Sequence, residues 1–452
     1  MRHRVLSTVY RRWISPERAF LALIGDATDA FWLDSGIHAT DGMSYMGVGS
    51  RTFIPAPGES VLQFLRAELP APRAAAPGAA TGFALGWVGW LGYERRGETM
   101  GVPLRQRSRY PDAAFLYADR ILAFDHAART VTLSALGEPG SRPLEEWRTH
   151  VTAVLDGLDD PGPADEDAAV AGPATPVPAV RWAHSDDEYL RMIEACQAHI
   201  VRGDAYQLCL TNEAQVDVHP DPVRTYLAMR ASSPSHHGGL IRVGDVSLLS
   251  ATPEVFLTVT PDGIVRSEPI KGTRARGANA QRDAELRAEL ADSEKERAEN
   301  LMIVDLMRND LSRICLPGSV SVPSLLRVET YAHVHQLVST IVGQLAPGYS
   351  GVDALAACFP AGSMTGAPKL GATQILEALE QRPRGVYSGV FGYFGLDGRI
   401  ELAMVIRSIV LDAEGASIGT GGGITALSVP AEELSEAKLK AAALLEVLGV
   451  PL

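Results

Sequence analysis

The feature that most constrains this 452-residue chain is a series of strand-like segments joined by turns so tight that only antiparallel strands can flank them. Glu254 to Thr260 alternates apolar and polar residues, Pro261-Asp262-Gly263 marks a turn, and Ile264 to Ser267 resumes the strand. Residues 386–420 read as an antiparallel meander, with turns at Leu396-Asp397-Gly398 and Ala413-Glu414-Gly415. Helical patterns lie between such segments: Asp186 to about Arg202, a strongly charged helix from about Ala280 to near Cys315, then 366–381 and 431–447. Residues 20–157 read as mixed strands and turns, with closely packed strands around the Gly- and Trp-rich stretch Gly82 to Glu94. Antiparallel strands interspersed with helices predict an α+β fold.

Composition narrows the function classes. A chain of this length can bury a large core, and its 46% hydrophobic and 21% charged residues are ordinary for a globular protein. A formal net charge of −13 argues against a general nucleic-acid binder. No apolar stretch reaches the roughly 18–20 residues that span a bilayer, so no membrane partner is expected. Basic Met1-Arg2-His3-Arg4 is not followed by a continuous apolar core and a cleavage site, so no signal peptide is expected either. Cys196, Cys209, Cys315 and Cys358 form no C-x-x-C pair, which predicts reduced, buried thiols in a cytoplasmic protein without structural zinc. Residues 159–180, rich in Pro, Ala and acid, read as an exposed connector between regions 1–158 and 181–452, which are expected to pack as one unit.

Of 41 basic residues only Lys271, Lys295, Lys369, Lys438 and Lys440 are lysines. Lysine, unlike arginine, readily loses its proton and serves as nucleophile or base. For Lys295 and Lys438 a solvated surface position is the expectation. With the first turn centred on Asp262, Glu254 and Lys271 meet at the open end of a hairpin. They form either an acid/base group beside a nucleophile or a structural ion pair. Glu296 and Glu299 share a helix face, and so do Glu433 and Glu436, with Lys440 four residues beyond. Such pairs either hold a hard cation such as Mg²⁺ or simply face solvent. Gly366-Ala367-Pro368-Lys369 and the Gly421-Gly422-Gly423 run either cradle an anion, with Lys369 adding charge, or make plain turns. Tyr393 and Arg407 are expected on strands of the meander. Arg407 interrupts an apolar run there, and a carboxylate from substrate or protein is its natural partner.

Taken together, these segments resemble the chorismate-utilising enzymes: anthranilate synthase component I, aminodeoxychorismate synthase component I, isochorismate synthase and salicylate synthase. The resemblance runs from about Tyr189 to Val447. It is carried by Tyr206-Gln207, Thr252-Pro253-Glu254, PIKGTRARG from Pro269 to Gly277, AENLMIVDLMRNDLSRIC from Ala298 to Cys315 and FPAGSMTGAPK from Phe359 to Lys369. The Gly389–Gly395 strand, Arg407, the glycine run and the Glu433/Glu436/Lys440 helix continue it, and Phe31 to Ser35 and Gly89 to Glu94 extend it more loosely. It implies a large two-subdomain sandwich of antiparallel sheets flanked by helices, with 181–452 as the chorismate-binding catalytic region. Isochorismate and salicylate synthases carry a water-activating lysine where this chain has Gln207. Anthranilate synthases usually carry PIAGT where this chain has PIKGT. The resemblance therefore points to the aminodeoxychorismate synthase component I branch, which converts chorismate and ammonia to 4-amino-4-deoxychorismate for 4-aminobenzoate and folate or a related secondary metabolite.

The same resemblance implies roles. Lys271 attacks C2 of chorismate as the C4 hydroxyl leaves, with Glu254 as the acid/base, and the lysine amine needs a lowered pKa to do so. Glu299 and Glu436, supported by Glu296 and Glu433, hold Mg²⁺. Gln207, Gly272, Thr273, Ser363, Lys369, Tyr393, Arg407, Gly421, Gly422, Gly423 and Lys440 contact the substrate. No glutaminase nucleophile segment is recognisable, so a separate glutamine amidotransferase subunit (component II) is expected to supply ammonia. The histidine that often precedes Leu-Val-Ser in the family is Gln336 here, and His335 falls on the opposite face of the strand. The alternatives are 2-amination with pyruvate elimination, as in anthranilate synthase component I, and a non-catalytic chorismate-binding regulatory paralogue.

Overall fold

The computed structural model describes residues 4–69, 82–158, 177–331 and 334–451, so most of the expected connector lies outside the described residues. Its strands form two antiparallel sheets, one of twelve strands and one of ten. Both regions of the chain contribute to both sheets. In the larger sheet Ala30–Asp34 pairs with Gly238–Val243, and in the smaller Gly86–Leu91 pairs with Val390–Gly395. The sheets pack face to face through Phe31, Ile241 and Leu248 on one side and Trp90, Leu116 and Phe391 on the other. The contact is close enough that a Cβ on Gly239 would lie 2.9 Å from the Phe391 ring.

Helices cover the outer faces. Pro16–Leu23, Arg142–Asp156, Pro222–Ser232 and Pro430–Val447 bury their apolar sides on the larger sheet. Val61–Glu68, Glu294–Ser312 and Gly351–Cys358 do the same on the smaller one. The expected α+β sandwich is thus a four-layered arrangement of helices, sheet, sheet and helices. No described helix is long and apolar enough to cross a membrane, and all four cysteines are buried and unpaired.

Three local readings are corrected. Residues 20–157 hold helices as well as strands and turns, among them Val61–Glu68 and Arg142–Asp156. The single charged helix expected from 280 to 315 is two, Ala280–Asp292 and Glu294–Ser312. Ser293 separates them: its side chain accepts the Glu296 N–H and caps the second helix. The meander is split between the sheets. Val390–Gly395 and Ile400–Met404 belong to the smaller sheet, whereas Ser408–Asp412 and Gly415–Ile424 belong to the larger. Arg407 therefore lies on the short link between sheets rather than on a strand, and it takes a left-handed backbone conformation with φ 51°.

One buried network ties the two regions together behind this link. Arg384 donates to Glu380 at 2.7 and 2.9 Å, to the Met364 carbonyl at 2.6 Å and to the Cys209 carbonyl at 2.9 Å. Its guanidinium also lies 4.3 Å from the Tyr93 ring centroid. Glu94, from the N-terminal region, accepts the Arg384 and Gly385 N–H groups at 3.0 and 2.9 Å. Removing one partner of such a pair strands the other charge in a dry interior. Arg384→Met is expected to lower stability by about 3–5 kcal/mol in urea denaturation. Arg384→Met combined with Glu380→Leu should recover part of that loss, because no uncompensated charge remains.

Candidate active site

A cavity of about 490 Å³ opens where edges of the two sheets part. The larger sheet contributes Cys209 and the strand Gly415–Ile424, and the smaller contributes Ile270–Ala275 and Gln336. The helices Glu294–Ser312 and Pro430–Val447 bring their first two turns to it, and with them Glu296, Glu299, Glu433 and Glu436. Helix N-termini carry partial positive charge, so they soften the cost of gathering carboxylates there.

The hairpin performs as its turn predicts. Thr258 pairs with Arg266 and Val259 with Val265 across the turn. Glu254 and Lys271 both line the cavity at the hairpin's open end, with Ser363 beside them. Burial pushes the Glu254 carboxyl up to about 7, although Lys271, the Ser363 hydroxyl and the Ile270 N–H favour its ionised form. Glu254 can therefore hold or release a proton near neutral pH. Lys271 behaves differently from expectation. Burial alone would lower its amine, but Glu299, Glu254 and Glu296 outweigh burial and raise it above the ordinary lysine value. The protein's own charges do not supply the lowered pKa that nucleophilic attack requires.

The cavity wall carries five basic side chains (Lys271, Arg274, Lys295, Arg407 and Lys440) and five acidic ones (Glu254, Glu296, Glu299, Glu433 and Glu436). Most of the acids have a nearby cation. Arg274 lies 3.6 Å from Glu296, Lys295 is 3.0 Å from Glu433, and Lys440 is 2.7 Å from Glu436. Glu299 feels Lys271 as its main opposing charge. With the carboxylates engaged in this way, no group of three or more Asp, Glu, His or Cys among the described residues is gathered to ligate a metal. The donor set is nonetheless all oxygen and anionic, which suits a hard divalent cation.

The glycines are explained by what sits against them. Gly272 has φ +83°, and a Cβ there would lie 3.0 Å from Glu296 Cγ. A Cβ on Gly423 would come within 2.1 Å of Gln207 Nε2. The Gly421–Gly423 run is accordingly part of a strand, not a turn, opposite Thr211 to Cys209. Gln207 stands behind Gly423 rather than in the cavity lining, with its Oε1 buried and unpartnered. Arg407 does line the cavity; it donates to the Lys440 carbonyl at 3.3 Å and has no carboxylate ion pair among the described residues.

Besides Gln207, two expected substrate contacts are placed elsewhere. Lys369 donates to Asp310 at 2.6 Å and to the Cys358 carbonyl at 2.7 Å, so its charge secures the loop that carries Ser363. Tyr393 points to the other side of its strand, where it bonds Glu401 at 3.0 Å and packs on Tyr45 and Phe83. The aromatic that lines the cavity is Tyr387. It precedes the strand, where the period-2 rule gave no face, although Tyr387-Ser388-Gly389 was a visible marker of a tight approach. His335 turns away from the cavity to Asp283 and Thr330, at 3.0 and 2.9 Å, leaving Gln336 on the cavity face as alternation requires. Lys295 is exposed as expected, but it also lines the cavity.

Residues 31–446 match the family model described as chorismate binding enzyme. The chain is 41% identical over 465 aligned positions to an aminodeoxychorismate synthase of Streptomyces pristinaespiralis, covering 96% of this chain and 63% of that protein. It thus spans about 63% of the length of the aminodeoxychorismate synthases it matches in Streptomyces. It is 36% identical over 443 positions to anthranilate synthase component 1 of Streptomyces coelicolor, covering 96% of this chain and 86% of that one. Among solved structures, anthranilate synthase component I from Streptococcus pneumoniae superposes with a TM-score of 0.72 at 27% identity, over 98% of this chain and 92% of that chain. The chain, whose cavity at the sheet seam gathers a lysine, carboxylates and a glycine strand, belongs to the chorismate binding enzyme family.

Proposed function

We propose that the chain is the chorismate-aminating part of an aminodeoxychorismate synthase, converting chorismate and ammonia to 4-amino-4-deoxychorismate. The observation that carries this reading is the placement of Lys271 and Glu254 in one cavity. The Streptomyces relatives bearing that activity's name, at 41% and 42% identity, support it. An amidotransferase partner, component II, would deliver the ammonia, and the four unpaired cysteines fit a cytoplasmic enzyme.

In this reading the neutral Lys271 amine attacks C2 of the ring, both ring double bonds shift, and the C4 hydroxyl leaves as water with the proton that Glu254 provides. Ammonia then bonds to C4 and returns a proton to Glu254, both double bonds shift back and Lys271 is expelled as the neutral amine. Arg407, with no carboxylate ion pair among the described residues, would take a substrate carboxylate bidentately. Gly272 and Gly421 to Gly423 leave room for the dianion between the carboxylate-bearing helices. Glu299 and Glu436, with Glu296 and Glu433 beside them, would hold Mg²⁺, whose positive charge would offset chorismate's two carboxylates. A wall with five charges of each sign accepts a dianion and a dication together without acquiring net charge.

Purified protein given chorismate, MgCl₂ and an ammonium salt, followed by an aminodeoxychorismate lyase, should yield 4-aminobenzoate. Anthranilate in its place would overturn the assignment. Lys271→Ala should reduce 4-amination by a factor of roughly 10³ or more; unchanged turnover would remove the lysine from the mechanism. Glu254 gives a second signature. Its folded-state value near 7 lies above the ordinary 4.5, so the fold loses stability as pH rises from about 4.5 through 7. Glu254→Gln should therefore gain roughly 1–3 kcal/mol at pH 8 and nothing at pH 4 in denaturant titrations, while losing activity at both.

A further inference from the structure

Lys295 is the second residue of the Glu294–Ser312 helix, where the helix dipole opposes a positive charge. It is held by a residue from another helix: its amine donates to Glu433 Oε1 at 3.0 Å. Glu433 is only 4% exposed, whereas the Lys295 side chain is 42% exposed. The lysine thus reaches in from solvent to a buried carboxylate. Burial works against its charge, but Glu433, Glu299 and Glu436 outweigh that and hold the amine above the ordinary lysine value. Lys440, the other lysine bonded to a cavity carboxylate, is fastened differently. It shares a helix with Glu436 and also donates to the Gly421 carbonyl at 2.9 Å, which fixes it in the wall. Lysine suits a removable contact, being a point charge on a flexible stem rather than a two-pronged fork.

We propose that Lys295 is an exchangeable counter-cation, which neutralises Glu433 in the metal-free protein and withdraws to solvent when Mg²⁺ takes that carboxylate. The proposal rests on the reading that the four glutamates hold Mg²⁺. Its consequence is that the chain opposes its own metal: a buried carboxylate is kept from being unpaired before Mg²⁺ arrives, at a cost in Mg²⁺ affinity.

The test is calorimetric titration of the whole protein with MgCl₂, together with amine-reactive labelling read by mass spectrometry. Lys295→Gln keeps a hydrogen-bond donor and loses the charge; it should bind Mg²⁺ about ten-fold more tightly, and Lys295→Met similarly. Both should melt at lower temperature than the parent without Mg²⁺ and recover when it is added. Labelling of Lys295 in the parent protein should rise several-fold with Mg²⁺, while labelling of Lys438, which pairs with Asp186 outside the cavity, should not. Unchanged or weaker Mg²⁺ binding in both variants, or labelling of Lys295 that does not respond to Mg²⁺, would overturn the proposal. A parent protein that binds no Mg²⁺ would overturn the metal reading and the exchange with it, and is told apart by its flat titration.

Discussion

The guanidinium of Arg384 is the point on which the rest of the molecule leans. It joins carbonyls of the segments that form the cavity floor, at Cys209 and Met364, to the buried carboxylate of Glu380. Glu94 reaches the same turn from some 290 residues earlier in the chain and accepts its backbone N–H groups. A buried charge of this kind is tolerated only when its donors are all taken, and here the acceptors come from separate segments. The floor of the cavity is thereby held in register with the N-terminal strands, and the seam between sheets is fixed without a ligand.

Onto that frame the cavity adds a second electrostatic problem, solved differently. Glutamates from two helices are opposed by cations from a strand, a loop and the same helices, so the wall is balanced before anything binds. The glutamates around Lys271 also raise its amine above the ordinary lysine value. Pre-organised charge inside a cavity is where electrostatic catalysis gains most.

Much of this was legible in the sequence because it depends on short-range rules. The Asp262 turn placed Glu254 near Lys271, the i, i+3 spacing put each glutamate pair on one helix face, and alternation turned His335 away from the cavity. The failures have tertiary causes. Lys369 was read as an anion ligand because no local rule shows that Asp310, on another helix, would claim it. Tyr393 and Tyr387 flank the same strand entry, and only the sheet's position decides which one meets the cavity. The glycine run could not be told from a plain turn because its reason lies across the sheet and on two helices, in Gln207, Glu299 and Glu433. The meander's change of sheet at Arg407 left no periodic trace, since both halves alternate alike.

The interleaving of the two regions also bears on how the chain is made. Trp90 pairs with Phe391, and Phe31 with Ile241, so each sheet closes only when distant parts of the chain meet. Such non-local pairing makes for high contact order and slow folding. At synthesis rates of about 5–20 residues per second, the strand around Trp90 waits roughly 15–60 s for its partner to emerge. During that interval Gly86–Leu91, fully buried in the finished protein, exposes an apolar edge suited to pairing with the wrong neighbour. The architecture that seals the cavity between two shared sheets thus leaves the nascent chain dependent on protection from aggregation until its last third is in place.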